Sequence, residues 1–512
     1  MVQNKNQVII GEQEFSIEEL VSVARFYYPL KLSKNTKNRI EHTRGVVERF
    51  SAENRRIYGI TTGVGENSRI PIPARDSVKL QKNLIMSHAC GLGEPLEEEF
   101  VRAIMVLMIQ NFSQGCSGIR LETVETLVRL LNEKITPVVP REGSLGYLSH
   151  QAHISLVMIG LGEAFYKDQR MSGRKALKEA GIEPITLREK EGLSLLNGTV
   201  DMTALGTMAL FDSFNILKAA DIISMMSFEA LKGTPFAFDP RISKVKPHPG
   251  QQKTIINLKK ILFNSEIAER YKNHRTQDAL SIRSIPQVHG ACKDAVHYVK
   301  QVIEREMNSA TDNPLVFDDE EGGTCISSAN CHGEAVSLAM DFLSISIAEL
   351  ANIAERRIFR LVSPQYSELP PFLIQGGGVN SGYMIPQYVA AALVSDNKVY
   401  SHPASVDSIM TSGGQEDHVS MGTSAALKAL KVVRNAEKII GIELMCSSQA
   451  LENFRPLHPG KGTKAAYDIF REFVPRLDSD RVLYPDMNVA ENLIHTGKLV
   501  KRTEEIIGPL QI

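Results

Sequence analysis

The sequence lacks the marks of several large function classes. Its 58 basic and 59 acidic residues nearly cancel, and no large block of one sign occurs. That argues against nucleic-acid or membrane-surface binding driven by net charge. The six cysteines are Cys90, Cys116, Cys292, Cys325, Cys331 and Cys446, with no Cys-x-x-Cys pair among them. In 512 residues this scatter points to reduced thiols in a cytoplasmic protein rather than a disulfide framework. Charge regularly interrupts the apolar stretches, so no membrane span is expected. The start, Met1 to Gln7, is polar and carries no long apolar run, so no signal peptide is expected either. There is no P-loop, and no G-x-G-x-x-G pattern falls between a strand and a helix. No metal site is expected. His150-x-x-His153 has helical spacing but no matching cysteine or carboxylate partners, and adjacent Cys331-His332 is a poor way to aim two ligands at one ion.

What is present is mainly helical pattern. Ser16-Ile17-Glu18-Glu19 is a capping box, in which serine and glutamate satisfy each other's free backbone donors. From about 97 to 111, Val101, Ile104, Met105 and Met108 recur at helical spacing. From 332 to 361, Val336, Ala339, Phe342, Leu343, Ile347 and Leu350 do the same. Another long segment starts near His418 and passes Ile440. Helices this long, apolar on more than one side, belong inside a bundle. The glycine breaks at Gly376-Gly377-Gly378 and Gly413-Gly414 punctuate the second half. No fixed-period repeat, low-complexity tract or interdomain linker stands out, so residues 1–512 read as one unit.

Several motifs then fall in a fixed order. Tyr58-Gly59-Ile60-Thr61-Thr62-Gly63-Val64-Gly65 is a glycine-bounded tyrosine loop. Leu80-Gln81-Lys82-Asn83-Leu84 leads to Ser87-His88-Ala89. Leu196-Asn197-Gly198-Thr199, Gln277-Asp278 with Arg283, and Asp312-Asn313-Pro314 follow. The longest is His402-Pro403-Ala404-Ser405-Val406-Asp407-Ser408 with Gln415-Glu416-Asp417-His418-Val419-Ser420-Met421. Over most of its length the chain resembles the histidine ammonia-lyase superfamily. The resemblance implies a mostly helical subunit around a long central bundle, and a homotetramer whose active sites draw on more than one subunit. It places the active-site loops roughly in 1–200, and the central bundle and C-terminal helices in 201–512.

One loop departs from the family. Gly143-Ser144-Leu145-Gly146 is followed directly by Tyr147-Leu148. The family's loop runs Gly-Ser-Val-Gly-Ala-Ser-Gly-Asp-Leu, and its Ala-Ser-Gly cyclises to the electrophile methylidene-imidazolone (MIO). The gap has the length of that tripeptide. Four other Ser-Gly pairs, at Ser117, Ser172, Ser381 and Ser412, lie away from this loop, and cyclisation is expected at none of them. The sequence therefore predicts a carbon–nitrogen lyase with no MIO and no other cofactor. Without an amine trap, a quaternary ammonium that leaves as a neutral amine is the attractive substrate. Ergothionases, superfamily members that eliminate trimethylamine from ergothioneine, set the main expectation. The alternatives are an ammonia-lyase relative acting on another imidazole amino acid, or a non-catalytic homologue with a binding or regulatory role. The expected partner is a small histidine-derived molecule, not nucleic acid or membrane.

The resemblance assigns the site residues. Tyr58 and Glu416 are the catalytic candidates. A phenol has an unperturbed pKa of about 10, so Tyr58 needs activation by its surroundings to take a proton near neutrality. His88 would meet an imidazole-like ring. Arg283 would grip the substrate carboxylate with its planar fork. Asn197, Gln277 and Asn313 would add neutral hydrogen bonds near the amino-acid end. Tyr147 is read either as a ligand facing the substrate's cation or as filler closing the deletion. Two further departures are Ala279-Leu280 after Gln277-Asp278, where the family has Pro-Tyr, and His150.

Overall fold

The computed structural model describes residues 7–320 and 322–512, so most of the polar start, Met1 to Asn6, lies outside the described residues. Helices take 61% of the chain and strands 7%, which bears out the mostly helical expectation. The capping box forms as read. Ser16 Oγ accepts from the Glu19 N–H and the Glu19 carboxylate accepts from the Ser16 N–H, opening the helix Ile17–Ala24. The periodic segments become the helices Glu98–Ser113, Glu334–Val362 and Gly422–Leu451. The last starts four residues later than its pattern suggests. Residues 411–421 form a loop instead, ending at Met421 with φ 53°, a left-handed conformation that cannot propagate a helix.

The chain divides into two compact units. The first comprises Met1–Phe211, Gln301–Asp341 and Pro403–Leu427; the second comprises Asp212–Lys300, Phe342–His402 and Lys428–Ile512. All the strand pairs fall in the first unit. One of them matters for the site. Leu92–Pro95 pairs antiparallel with Pro140–Glu142, tying the segment after His88 to the start of the Gly143–Tyr147 loop. The Gly91 N–H donates to His153 Nε2 at 3.1 Å, fixing the same junction to the helix Ser149–Met158. The second unit carries helices and no strand of two or more residues among its described residues.

Val200–Ala230 is buried along nearly its whole length, as a helix apolar on every side must be. Glu334–Val362 differs. Val336, Ala339, Leu343, Ile347 and Leu350 are buried, whereas Leu338, Phe342 and Ile345 are 47%, 42% and 45% exposed. Phe342 thus leaves the interior expected of it, and a second apolar stripe faces outward. Among the described residues this helix alone is long and apolar enough to cross a membrane, and 67% of its most apolar window is buried within the fold.

Candidate active site

Tyr58 sits in a loop that folds back on itself. Gly63 and Ile72 N–H groups pair with the Ile70 and Thr61 carbonyls, making a short ladder. The Gly65 N–H donates to the Tyr58 hydroxyl at 2.9 Å. Gly65 has φ 55°, and a Cβ there would lie 2.6 Å from Ser412 Oγ. The glycine therefore permits close approach between the tyrosine loop and the loop that carries Glu416. Glu416 is anchored by its own hairpin: it exchanges backbone hydrogen bonds with Thr411, whose hydroxyl donates to Glu416 Oε2 at 3.2 Å. Burial raises the Tyr58 pKa above 10 against the Gly65 hydrogen bond, and the nearby Glu416 carboxylate pushes the same way. The surroundings thus hold Tyr58 protonated, the opposite of the activation expected from the sequence.

Tyr147 joins this cluster. Its hydroxyl lies 3.3 Å from Cys331 Sγ. Burial chiefly raises the Tyr147 pKa far above its ordinary value, with Cys331, Glu416 and Tyr58 adding to it. Burial also raises the Cys331 thiol, partly offset by the Tyr147 hydrogen bond. Glu416 thus lies close enough to raise Tyr58, Tyr147 and Cys331 alike, and these three hydroxyl and thiol groups are neutral at pH 7.

The loop bearing Tyr147 hangs from Asp201. Asp201 Oδ2 accepts from Ser144 Oγ at 3.0 Å and from Thr423 Oγ1 at 2.9 Å, while Oδ1 accepts from the Met202 N–H at 2.8 Å. His150 Nδ1 lies 3.1 Å from Asp201 Oδ2 without forming a hydrogen bond to it. His150 Nε2 donates to the Arg141 carbonyl at 3.2 Å. His150 and Asp201 are fully buried. Leu148, between Tyr147 and the helix Ser149–Met158, has φ 91° and ψ −59°. A leucine pays roughly 1–3 kcal/mol to stay in such a region, and persists there only when its surroundings overdetermine it.

The amides are built into the frame. Asn197 Nδ2 donates to Asp312 Oδ1 at 3.0 Å and to the Asn313 carbonyl at 2.6 Å, leaving its carbonyl as the free function. Asp312 is held in turn by Lys190 Nζ at 2.8 Å, both fully buried. Asn313 Oδ1 accepts from the Ser328 N–H at 2.9 Å, leaving its NH₂ to donate. At the end of the helix Ser77–His88, His88 Nδ1 lies 2.8 Å from the Leu84 carbonyl. A carbonyl only accepts, so Nδ1 carries the proton and Nε2 is the acceptor in the neutral ring.

Tyr58, His88, Tyr147, Asn197, Asn313 and Glu416 all belong to the first unit. Gln277 and Arg283 belong to the second. Arg283 Nε donates to the Asp278 carbonyl at 3.0 Å, which orients the guanidinium, and Gln277 is exposed. The two histidines of His150-x-x-His153 serve Asp201 and Gly91 separately. Asp212, Glu437 and His495 bring ligand atoms within 4.8 Å of one another. The Arg434 guanidinium hydrogen-bonds both Glu437 and His495 and supplies a positive charge beside them. Sequence reasoning missed Asp201, Thr423 and Lys190, and weighed Cys331 only as a metal ligand. Only the adjacency of Ser144 to the departing loop hinted at the anchor.

The chain matches the aromatic amino acid lyase family model over residues 15–472. It is 50% identical to a histidine ammonia-lyase of Caldanaerobacter subterraneus subsp. tengcongensis over 502 residues, covering 98% of each chain. The crystal structure of a histidine ammonia-lyase from Trypanosoma cruzi superposes with a TM-score of 0.91 at 39% identity, covering 98% of this chain and 95% of that one. The ergothionase of Treponema denticola also shares the fold, with a TM-score of 0.90 and coverage of 96% and 99%, but at 27% identity.

These findings correct two expectations. Elimination of trimethylamine from ergothioneine gives way, because full-length relatives at about 50% identity are histidine ammonia-lyases and the ergothionase is a distant neighbour. The physical reason lies in the cluster. A trimethylammonium has no N–H to donate and is recognised by aromatic faces, whereas the polar group of Tyr147 engages the Cys331 thiol at 3.3 Å, with Glu416 and Tyr58 nearby. The expectation of no MIO is likewise overturned, since histidine ammonia-lyase family enzymes use that group, formed autocatalytically. The residues at this position do not themselves fit its usual source: Gly146 is joined directly to Tyr147, and Ser144 is engaged by Asp201. From the tyrosine loop to the Glu416 hairpin, and along nearly its full length, the chain belongs to the aromatic amino acid lyase family.

Proposed function

We propose that the protein eliminates ammonia from L-histidine, giving an imidazolyl acrylate. The observation that carries this reading is 50% identity to a histidine ammonia-lyase across 98% of both chains. The chemistry of the residues supports it. Glu416 and the phenols of Tyr58 and Tyr147 offer an ammonium both charge and hydrogen-bond acceptors. A cation entering beside Tyr58 opposes the burial that holds the phenol protonated, and so favours its role in moving the β-proton with Glu416. His88 Nε2 would accept a hydrogen bond from the imidazole N–H of the substrate. Asn197 would accept through its carbonyl and Asn313 donate through its amide near the amino-acid end.

Gln277 and Arg283 would come from another copy of the chain, with Arg283 binding the carboxylate bidentately. A homotetramer is part of the proposal. The outward stripe of Leu338, Phe342 and Ile345 supports it, since an apolar helix face of this kind marks an interaction surface. Six unpaired thiols support a reducing, cytoplasmic setting. Purified protein incubated with L-histidine is expected to release ammonia and the acrylate in equal amounts. Ammonia release from L-phenylalanine or L-tyrosine, with none from L-histidine, would overturn the imidazole assignment.

A further inference from the structure

Cys331 has a place in the site that the proposed reaction leaves unexplained. It is 7% exposed, in the loop between the strand Thr324–Ile326 and the helix Glu334–Val362. Its neighbour His332 stacks on His418, with ring centroids 5.3 Å apart and Nε2 3.2 Å from His418 Nδ1. The thiol is therefore held on a braced segment and is aimed at one group, the Tyr147 hydroxyl. Tyr147 needs such a partner. It precedes the strained Leu148, and the anchors of its loop act on the Ser144 and His150 side chains, not on the tyrosine ring.

We propose that Cys331 is a positioning residue for the lyase reaction: its hydrogen bond to the Tyr147 hydroxyl, at 3.3 Å, fixes the ring in the orientation that meets the substrate's ammonium. A thiol suits this task because it both donates and accepts weakly and, unlike a carboxylate, adds no charge beside Glu416. The hydrogen bond to Cys331 then holds the Tyr147 phenol, kept neutral chiefly by burial, near Glu416 and Tyr58. The inference rests on the reading of the site as a histidine ammonia-lyase site.

The test compares Cys331→Ser, which keeps a hydrogen-bonding group, with Cys331→Ala and Cys331→Val, which do not. With L-histidine, Ser is expected within about twofold of wild type. Ala and Val are expected to raise KM by about fivefold with kcat little changed, the size of effect one neutral hydrogen bond supplies when it acts on binding. In a Tyr147→Phe background, Cys331→Ala is expected to add nothing. Ala matching Ser, Val matching wild type, or full additivity with Tyr147→Phe would each overturn the proposal. A wild-type protein inactive on histidine would instead sink the functional reading. The pairing is then read from the S–H stretching band of Cys331, assigned by difference against Cys331→Ala. A shift of that band in Tyr147→Phe supports the hydrogen bond, and an unmoved band refutes it.

Discussion

Replacing Tyr58 with phenylalanine is expected to lower turnover of L-histidine by about 10²–10⁴-fold, the range for removing a positioned acid or base. The substitution deletes one oxygen and keeps the ring. In the fold that oxygen has one protein partner, the Gly65 N–H at 2.9 Å, in a loop that is only partly buried. Water can replace it there, so little stability is lost. The loop ladder through Gly63, Ile70, Thr61 and Ile72 does not involve the hydroxyl. The variant should therefore match wild type in circular dichroism and in size on gel filtration while losing nearly all ammonia release. The kinetic pattern matters as much as the size. A loss confined to kcat fits proton transfer; a loss confined to KM would make Tyr58 a binding residue. A well-folded Tyr58→Phe protein with wild-type turnover would remove Tyr58 from the chemistry.

Asp201→Ala should be the most damaging single change to stability near the site, at roughly 3–5 kcal/mol. The carboxylate is fully buried, serves Ser144, Thr423 and the Met202 N–H by hydrogen bonds, and lies 3.1 Å from His150 Nδ1. Alanine leaves those groups desolvated and unpaired, and each orphaned buried polar group costs about 1–3 kcal/mol. Asp201→Asn keeps a carbonyl acceptor and nearly the same volume, so it should lose clearly less. The thermal midpoint, compared at one scan rate, reads this order. Because the same aspartate suspends the loop that ends at Tyr147, activity should fall with stability in Asp201→Ala. An alanine variant as stable as wild type would mean that the loop is held elsewhere.

The local features of this chain were readable from its sequence. Ser16 and Glu19 are three residues apart, and the box they form depends only on that spacing. The 3.6-residue pattern from Val336 to Leu350 needs only its own helix. Phe342 marks the limit of such patterns: periodicity shows which residues are apolar, not whether the chain itself covers them. The contiguous motifs around Tyr58 and Glu416 were readable, and the fold brings the loops that carry them close together. The site was not legible where partners are distant in sequence. Cys331 is 184 residues from Tyr147, and Thr423 is 222 from Asp201. No local spacing encodes those contacts. The junction at Gly146 and Tyr147 misled in a different way. It pointed to a quaternary amine, whereas full-length relatives at about 50% identity are histidine ammonia-lyases.

The measurement that tests the central claim most directly offers the purified protein L-histidine and its Nα-trimethyl betaine in parallel, with ammonia, trimethylamine and the acrylate product quantified. Ammonia and acrylate in equal amounts from histidine, with no trimethylamine from the betaine, is the predicted result. Trimethylamine from the betaine with no ammonia from histidine would contradict it.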